Sequence, residues 1–394
     1  MNSKISSKEV QDFIDNNLSS DIHKILLKDS PFSEVTSKEL VEQIESKAKA
    51  NQKLPIWFST ANIYYPNKLN LSQTSSEVTA NYKAKLTIGE TLIDITGGFG
   101  VDTFYFSKRF KKVIHIEKNR ELSKIAQHNF AQLGATNIKS INDDGIKFLK
   151  SISERIDWIY LDPSRRDGNN KKVYFLQDCE PDVTLHLDYL LSKSENILIK
   201  TGPLLDISIG IAQLKHVKTI HIISIENEVK EILWVLKKEY NDEINIKTID
   251  FSKGKENIFQ FMFNELKESN VEYSEPLRYL YEPNVSIMKS GAFNLIGEKY
   301  GLKKLQEHSH LYTSENLIPF PGRKFIIEKV IPYSKKELKK LSPQQANITT
   351  RNFPESVNEI RKKSKLKDGG DSYLFFTKDL NEKLLTISCS KPSK

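Results

Sequence analysis

Cysteine is nearly missing from this chain of 394 residues: Cys179 and Cys389 are the only two. Two thiols so far apart form neither a disulfide framework nor a zinc site, and no metal is expected. They fit a reducing compartment. There is no run of roughly 18 apolar residues, so no segment is expected to cross a bilayer as a helix. The first residues, MNSKISSKEVQDF, lack the apolar stretch of a secretory leader. A cytoplasmic protein is expected. No internal repeat is evident, and the lysine-ending phosphate-loop pattern does not occur at the chain's glycine-rich turn.

What is present describes a soluble globular chain of two or three domains, 38% hydrophobic and 28% charged. The net charge of +8 points to an anionic partner or to a solvated lysine-rich surface. Residues 1–70 read as a helical N-terminal region. SSKE at Ser6–Glu9 and TSKE at Thr36–Glu39 have the spacing of a capping box, and LVEQIES carries helical periodicity. The stretch LPIWFSTANIYYPNKLNL reads as irregular packing or linker. From about 88 to 200, within a domain expected over 71–270, the apolar segments TLIDI, KVIHIE, NIKSI, DWIYLD and NILIKT alternate with helical ones such as NRELSKIAQHNFAQLG, which predicts a mostly parallel sheet covered on both faces. After Gly202 two pairs of strands separated by turns are expected, forming an antiparallel edge. A boundary is expected near 270, followed by a mixed segment over 271–320 and a basic α+β domain over 321–394.

The informative stretch is LIDITGGFGVDTFYFSK. An apolar strand ends in Asp94 and enters a turn with Gly97, Gly98 and Gly100. A dinucleotide fold wants glycine or alanine where Thr103 stands, so nicotinamide and flavin lose weight. The next strand ends in Glu117. NDDG follows the third strand and LDPSRR ends the fourth.

In this order and spacing the segments resemble the class I S-adenosylmethionine-dependent methyltransferases. The resemblance implies a Rossmann-like α/β sheet and S-adenosyl-L-methionine as cofactor. It places Asp94, Thr96, Gly97, Gly98, Gly100, Asp102 and Thr103 around the methionine part. Glu117 falls on the ribose hydroxyls, a bidentate geometry that suits a carboxylate, and Asp143 or Asp144 on the adenine amino group. The glycines are expected because a Cβ there would collide with the cofactor.

The resemblance puts the catalytic motif at Asp162, Pro163, Ser164 and Arg165, followed by Arg166. Amine-methylating members carry a second proline and an aromatic here, and both are missing. Stacking by Arg165 is one substitute; ion pairing of Arg165 and Arg166 is the other reading. Uracil-C5 methylases need a cysteine nucleophile after the next strand, where this chain has Lys200 and Thr201; Cys179 lies upstream. A helix over QTSSEVTANYKAKL is expected to carry Tyr82 and Lys83 on its surface, or alternatively facing the pocket.

LYEPNVSIMKSGAFNLIGEKYGL and NITTRNFPESVNEIRKKSKLKDGGDSYLFFT resemble the C-terminal part of a bacterial methyltransferase group, described as ferredoxin-like followed by THUMP-like, in which LDPSRR is usual. Between Arg323 and Lys367 stand 13 Lys or Arg against 4 Glu, so the whole of the excess charge lies here and the rest of the chain is about neutral. That is the footprint of a phosphate-backbone partner. Phe325, Tyr333, Phe353 and Tyr373 are expected in the core rather than as base-stacking platforms. The leading expectation is a methyltransferase of structured RNA, rRNA or tRNA. The alternatives are a methyltransferase of a protein or small molecule, and a non-catalytic RNA-binding module.

Overall fold

The computed structural model describes residues 1–165, 175–334, 336–338 and 345–392, with Arg165 described in its backbone alone. The chain forms two compact units, Met1–Lys218 with Leu233–Asn241, and Thr219–Ile232 with Asp242–Lys394. Among the described residues no helix is long and apolar enough to cross a membrane.

The first unit begins with helices α1 (Lys8–Asn16) and α2 (Ser37–Lys53), and α3 (Glu77–Lys85) precedes the sheet. The box at Thr36–Glu39 forms in full: Thr36 Oγ1 accepts from the Glu39 amide, and the Glu39 carboxylate accepts from the Thr36 amide at 2.8 Å. The one expected at Ser6–Glu9 does not. Ser6 closes a 3₁₀ turn, Ser3–Ser6, and α1 starts one residue later with Ser7 as a cap that makes no side-chain bond. The segment after α2 packs rather than links: Trp57, Ile63, Tyr64 and Tyr65 are buried. Tyr64 is clamped by Asn129, whose side chain accepts from the Tyr64 amide at 2.9 Å and donates to its carbonyl at 2.8 Å.

Five strands then build a parallel sheet: β1 (Thr91–Asp94), β2 (Lys112–Ile116), β3 (Ile138–Ile141), β4 (Ile156–Leu161) and β5 (Ser194–Thr201). Helices α4 (Val101–Ser107), α5 (Arg120–Gln132), α6 (Gly145–Ser151) and α7 (Val183–Lys193) connect them. The central strands are apolar without alternation because both faces are covered; Ile93, Ile159, Leu161 and Ile197 are fully buried. The order is β3-β2-β1-β4-β5. The chain therefore leaves β1 in one direction and β4 in the other. Such a switch opens a crevice at the carboxyl ends of β1 and β4, where ligands of open α/β sheets bind.

β6 (Val217–Ile225) is followed by β7 (Glu228–Lys237) across a turn of the second unit in which Glu226 and Asn227 both have positive φ, as tight hairpins prefer. β8 (Asn245–Ser252) pairs parallel to β6 and antiparallel to β9 (Lys255–Met262), giving the expected antiparallel edge. A second sheet contains β10 (Tyr279–Pro283), β11 (Tyr312–Ser314), β12 (Gly322–Pro332), β13 (Asn347–Thr350), β14 (Tyr373–Lys378) and β15 (Leu384–Ser390), in the order β11-β10-β12-β15-β14-β13. Helix α8 (Val357–Ser364) links the parallel pair β13 and β14. Phe325 and Tyr373 pack in one core cluster, and Tyr333 and Phe353 pack against another. All four thus serve the core.

Thr36→Ala, which removes half of a closed capping box, is expected to cost about 1 kcal/mol of stability. Ser6→Ala should stay within about 0.5 kcal/mol, since no cap is lost. Urea unfolding of the two variants measures both, and equal losses would contradict the helix start assigned here.

Candidate active site

The glycine turn is built on Asp94. Its carboxylate is almost wholly buried at 1% exposure. One oxygen accepts from Thr103 Oγ1 at 2.6 Å and the other from the Thr96 amide at 3.0 Å. Burial pushes its pKa up to about 7; Asp102 and Asp162 add to the rise, and the two hydrogen bonds oppose it. Thr103 is thereby a brace of the turn and does not line the cleft.

Gly97 and Gly100 are required by the protein's own packing. A Cβ on Gly97 would stand 2.3 Å from the His115 ring, and one on Gly100 2.4 Å from the Phe130 ring. Gly98 and Gly100 also have φ of +55° and +86°, a region side chains avoid. His115 is fully buried beneath the turn, with its ring nitrogens 3.2 Å from the Gly98 carbonyl and 3.0 Å from Ser140 Oγ. Burial depresses its pKa to about 4, so the ring is neutral.

A cleft of about 270 Å³ opens over this turn, within the first unit. Asp94, Thr96, Gly97, Gly98, Gly100 and Asp102 line it on one side, and Glu117 and Asp144 line it further along. Glu117 accepts from the Gly98 amide at 2.9 Å with one oxygen and from the Asn119 amide at 2.7 Å with the other. Each oxygen keeps a lone pair for a further donor. Of the two acids left open in NDDG, Asp144 lines the cleft and caps α6, accepting from the Lys147 amide. Asp143 pairs with the Lys147 side chain at 3.2 Å and does not line it. Ile116, Leu122 and Ile146 supply apolar walls.

Lys83 is not a surface residue. It is fully buried, 2.8 Å from Ser75 Oγ and 3.1 Å from an Asp102 oxygen, and Tyr82 is buried as well. The other Asp102 oxygen accepts from Tyr160 at 2.7 Å and Ser75 at 2.8 Å. Burial alone would raise the Asp102 pKa. The ammonium groups of Lys83 and then Lys200, with the Tyr160 and Ser75 hydrogen bonds, hold it below the usual carboxylate range.

Asp162 stands at the cleft just beyond β4. Its amide donates to Thr96 Oγ1 at 2.6 Å, tying it to the glycine turn, and its carboxylate pairs with Lys200. Ser164 also lines the cleft, whereas Pro163 does not. Ser164 and Arg165 pair antiparallel with Glu180 and Cys179. The side chain of Arg165 and the whole of Arg166 lie outside the described residues. The sequence reading missed Tyr160, Ser75, Asn70, Gln73 and Glu180 as cleft residues, and it missed the pairing of Lys200 with Asp162. The usable signal was a lysine at the end of the apolar run NILIKT. Among the described residues no group of His, Cys, Asp and Glu could hold a metal ion.

Residues 76–163 match the ribosomal RNA adenine dimethylase family, 279–321 match a ferredoxin-like domain and 322–391 a THUMP domain-like family. The chain is 31% identical to a protein of Porphyromonas gingivalis W83 assigned as a methyltransferase, whose crystal structure it matches with a TM-score of 0.89 over 98% of both chains. The chain belongs to the class I S-adenosylmethionine-dependent methyltransferases, in the group with ferredoxin-like and THUMP-like C-terminal domains. The methyltransferase is also 30% identical over 111 residues to a protein of Methanosphaera stadtmanae assigned as ribosomal RNA small subunit methyltransferase A. That match spans 28% of this chain and 36% of the relative's length. The cleft fits the family's cofactor: an acid with two open lone pairs, an apolar slot with Asp144 at its edge, and a turn whose backbone is bare of side chains.

The titration of Asp94 has a definite sign. Its folded pKa lies above the ordinary 3.8, so its contribution to stability is full at acidic pH and is lost as pH rises through about 7. His115 works in the opposite sense, its contribution being present above 6.5 and lost as pH falls toward about 4. Urea unfolding of the ligand-free enzyme between pH 4 and 8 should therefore give Asp94→Asn a stability that climbs more steeply with pH than that of the wild type. Parallel curves would contradict a buried, proton-binding Asp94.

Proposed function

We propose that this methyltransferase acts on structured RNA, rRNA or tRNA, with the target nucleotide presented to Asp162. The observation that carries the proposal is the tie between the two strand ends: Thr96, in the glycine turn, accepts from the Asp162 amide. The acid that would meet the substrate is thereby fixed to the turn that would hold the cofactor. When bound, S-adenosylmethionine supplies an electrophilic methyl group. In this reading the Gly97–Gly100 backbone lies against the methionine part, Glu117 takes the ribose and Asp144 the adenine amino group. Asp94 acts through the turn it locks. Asp162 then accepts a hydrogen bond from the target's N–H or O–H.

The likeness to a protein assigned to ribosomal RNA supports an RNA target, as does the basic C-terminal segment. Part of that charge is consumed internally. Arg323 and Arg351 both grip the buried Glu282, Arg361 pairs with Asp368, and Lys363 lies 2.8 Å from Glu355. Among the described residues Lys329, Lys336, Lys362, Lys365 and Lys367 are exposed and outside any ion pair, and these are assigned to phosphates.

Glu117→Ala should weaken cofactor binding about tenfold or more, the scale of a lost charge-assisted hydrogen bond of about 1.5–3 kcal/mol. Asp162→Ala should leave that affinity within about threefold while methyl transfer to RNA collapses. Calorimetry and transfer of labelled methyl measure the two. An Asp162→Ala enzyme with full activity sinks the assignment.

Replacing Lys362, Lys365 and Lys367 by Gln should weaken binding to all RNAs alike and lower the log–log salt slope by about 2, since each phosphate contact contributes about 0.7 to 0.9. Replacing the paired Arg361 and Lys363 should do less. RNA binding at several salt concentrations decides, and equal slopes for wild type and the triple variant would remove the RNA interface from this helix end.

A further inference from the structure

We propose that Lys200 is a positioning residue for methyl transfer, holding one oxygen of Asp162 so that the other is presented to the substrate. The inference rests on the reading of Asp162 given above. It begins with β5, SENILIKT, in which Ile197, Leu198 and Ile199 are fully buried and Lys200 follows them at 8% exposure. An ammonium in such surroundings persists only where a counter-charge faces it. The strand register supplies one. Leu161, the last residue of β4, is paired with Ile199 of β5, so the residues that follow them, Asp162 and Lys200, stand side by side at the carboxyl edge.

Lys200 Nζ donates to Asp162 Oδ2. Asp162 Oδ1 makes no hydrogen bond among the described residues, and Asp162 lines the cleft. The backbone is fixed as well, because the Asp162 amide donates to Thr96 Oγ1 at 2.6 Å. With main chain and one oxygen held, the carboxylate has one acceptor left to offer and little freedom to turn it away. Lys200 pairs with this carboxylate and does not itself line the cleft, so it acts through Asp162 and not on the target itself. Lys200 also weighs on Asp102, whose second cation is Lys83. Two lysines thus stand among three acids that line the cleft, Asp94, Asp102 and Asp162.

The test uses the full chain, labelled S-adenosylmethionine and total RNA from cells lacking the gene, with cofactor affinity measured separately by calorimetry. Lys200→Met is expected to lower kcat about tenfold or more, with the cofactor Kd and the KM for RNA within about threefold. Lys200→Arg should recover a large part of the rate. In an Asp162→Asn background, Lys200→Met should cost less than about twofold further, because the two residues act as one unit. Should Lys200→Met not fold, Lys200→Gln, which keeps a donor without the charge, reads the same separation of kcat from Kd. A wild-type rate in Lys200→Met, a cofactor affinity that falls in step with kcat, or losses that multiply in the double variant would each overturn the inference. Wild-type enzyme that binds the cofactor and labels no RNA would overturn the RNA reading beneath it, a result distinguishable from the other three.

Discussion

The site depends on one buried carboxylate. Asp94 ends the first strand with both oxygens engaged by its own turn, the Thr103 hydroxyl on one side and the Thr96 amide on the other. A buried polar group that is fully paired specifies a local geometry more tightly than apolar contact does. The turn then carries its consequences outward. Gly98 reaches Glu117 through its amide, and Thr96 reaches Asp162 through its hydroxyl. Three strand ends that are distant in sequence are in this way held in one frame around the cleft.

Topology explains why the frame lies where it does. The chain turns to opposite sides after β1 and β4, and the crevice between them is left open because no crossover helix covers it. The elements before the sheet complete the wall. Ser75 and Lys83 come from the segment before α3 and from α3 itself, and they meet Asp102, which also binds Tyr160, at the cleft wall. The N-terminal region is accordingly part of the construction of the site, and Asn70 and Gln73 stand at its rim.

Most of the sheet was legible in the sequence, because strands buried on both faces are written as short apolar runs and the helices between them keep their periodicity. The acidic strand ends were legible too, since Asp94, Glu117 and Asp162 follow apolar runs directly. What escaped was set by contacts between distant residues. Nothing local in TANYKAKL shows that Lys83 faces a buried acid 19 positions on. The demand for glycine at 97 and 100 comes from His115 and Phe130, side chains on other elements. Asp143 and Asp144 are chemically identical neighbours, and only the start of α6 decides which of them turns toward the cleft. At Ser6 the capping pattern was present, but a preceding 3₁₀ turn took the residue first.

The most direct test of the account is a crystal structure of the full chain with S-adenosylhomocysteine. The account predicts the ribose hydroxyls on Glu117, the amino-acid part against the Gly97–Gly100 backbone, and the Asp94–Thr103 hydrogen bond unchanged. The ligand's sulfur should face Asp162. A ligand seated away from Glu117, or a glycine turn that must open and release Thr103 to admit it, would contradict the claim that Asp94 holds the site ready.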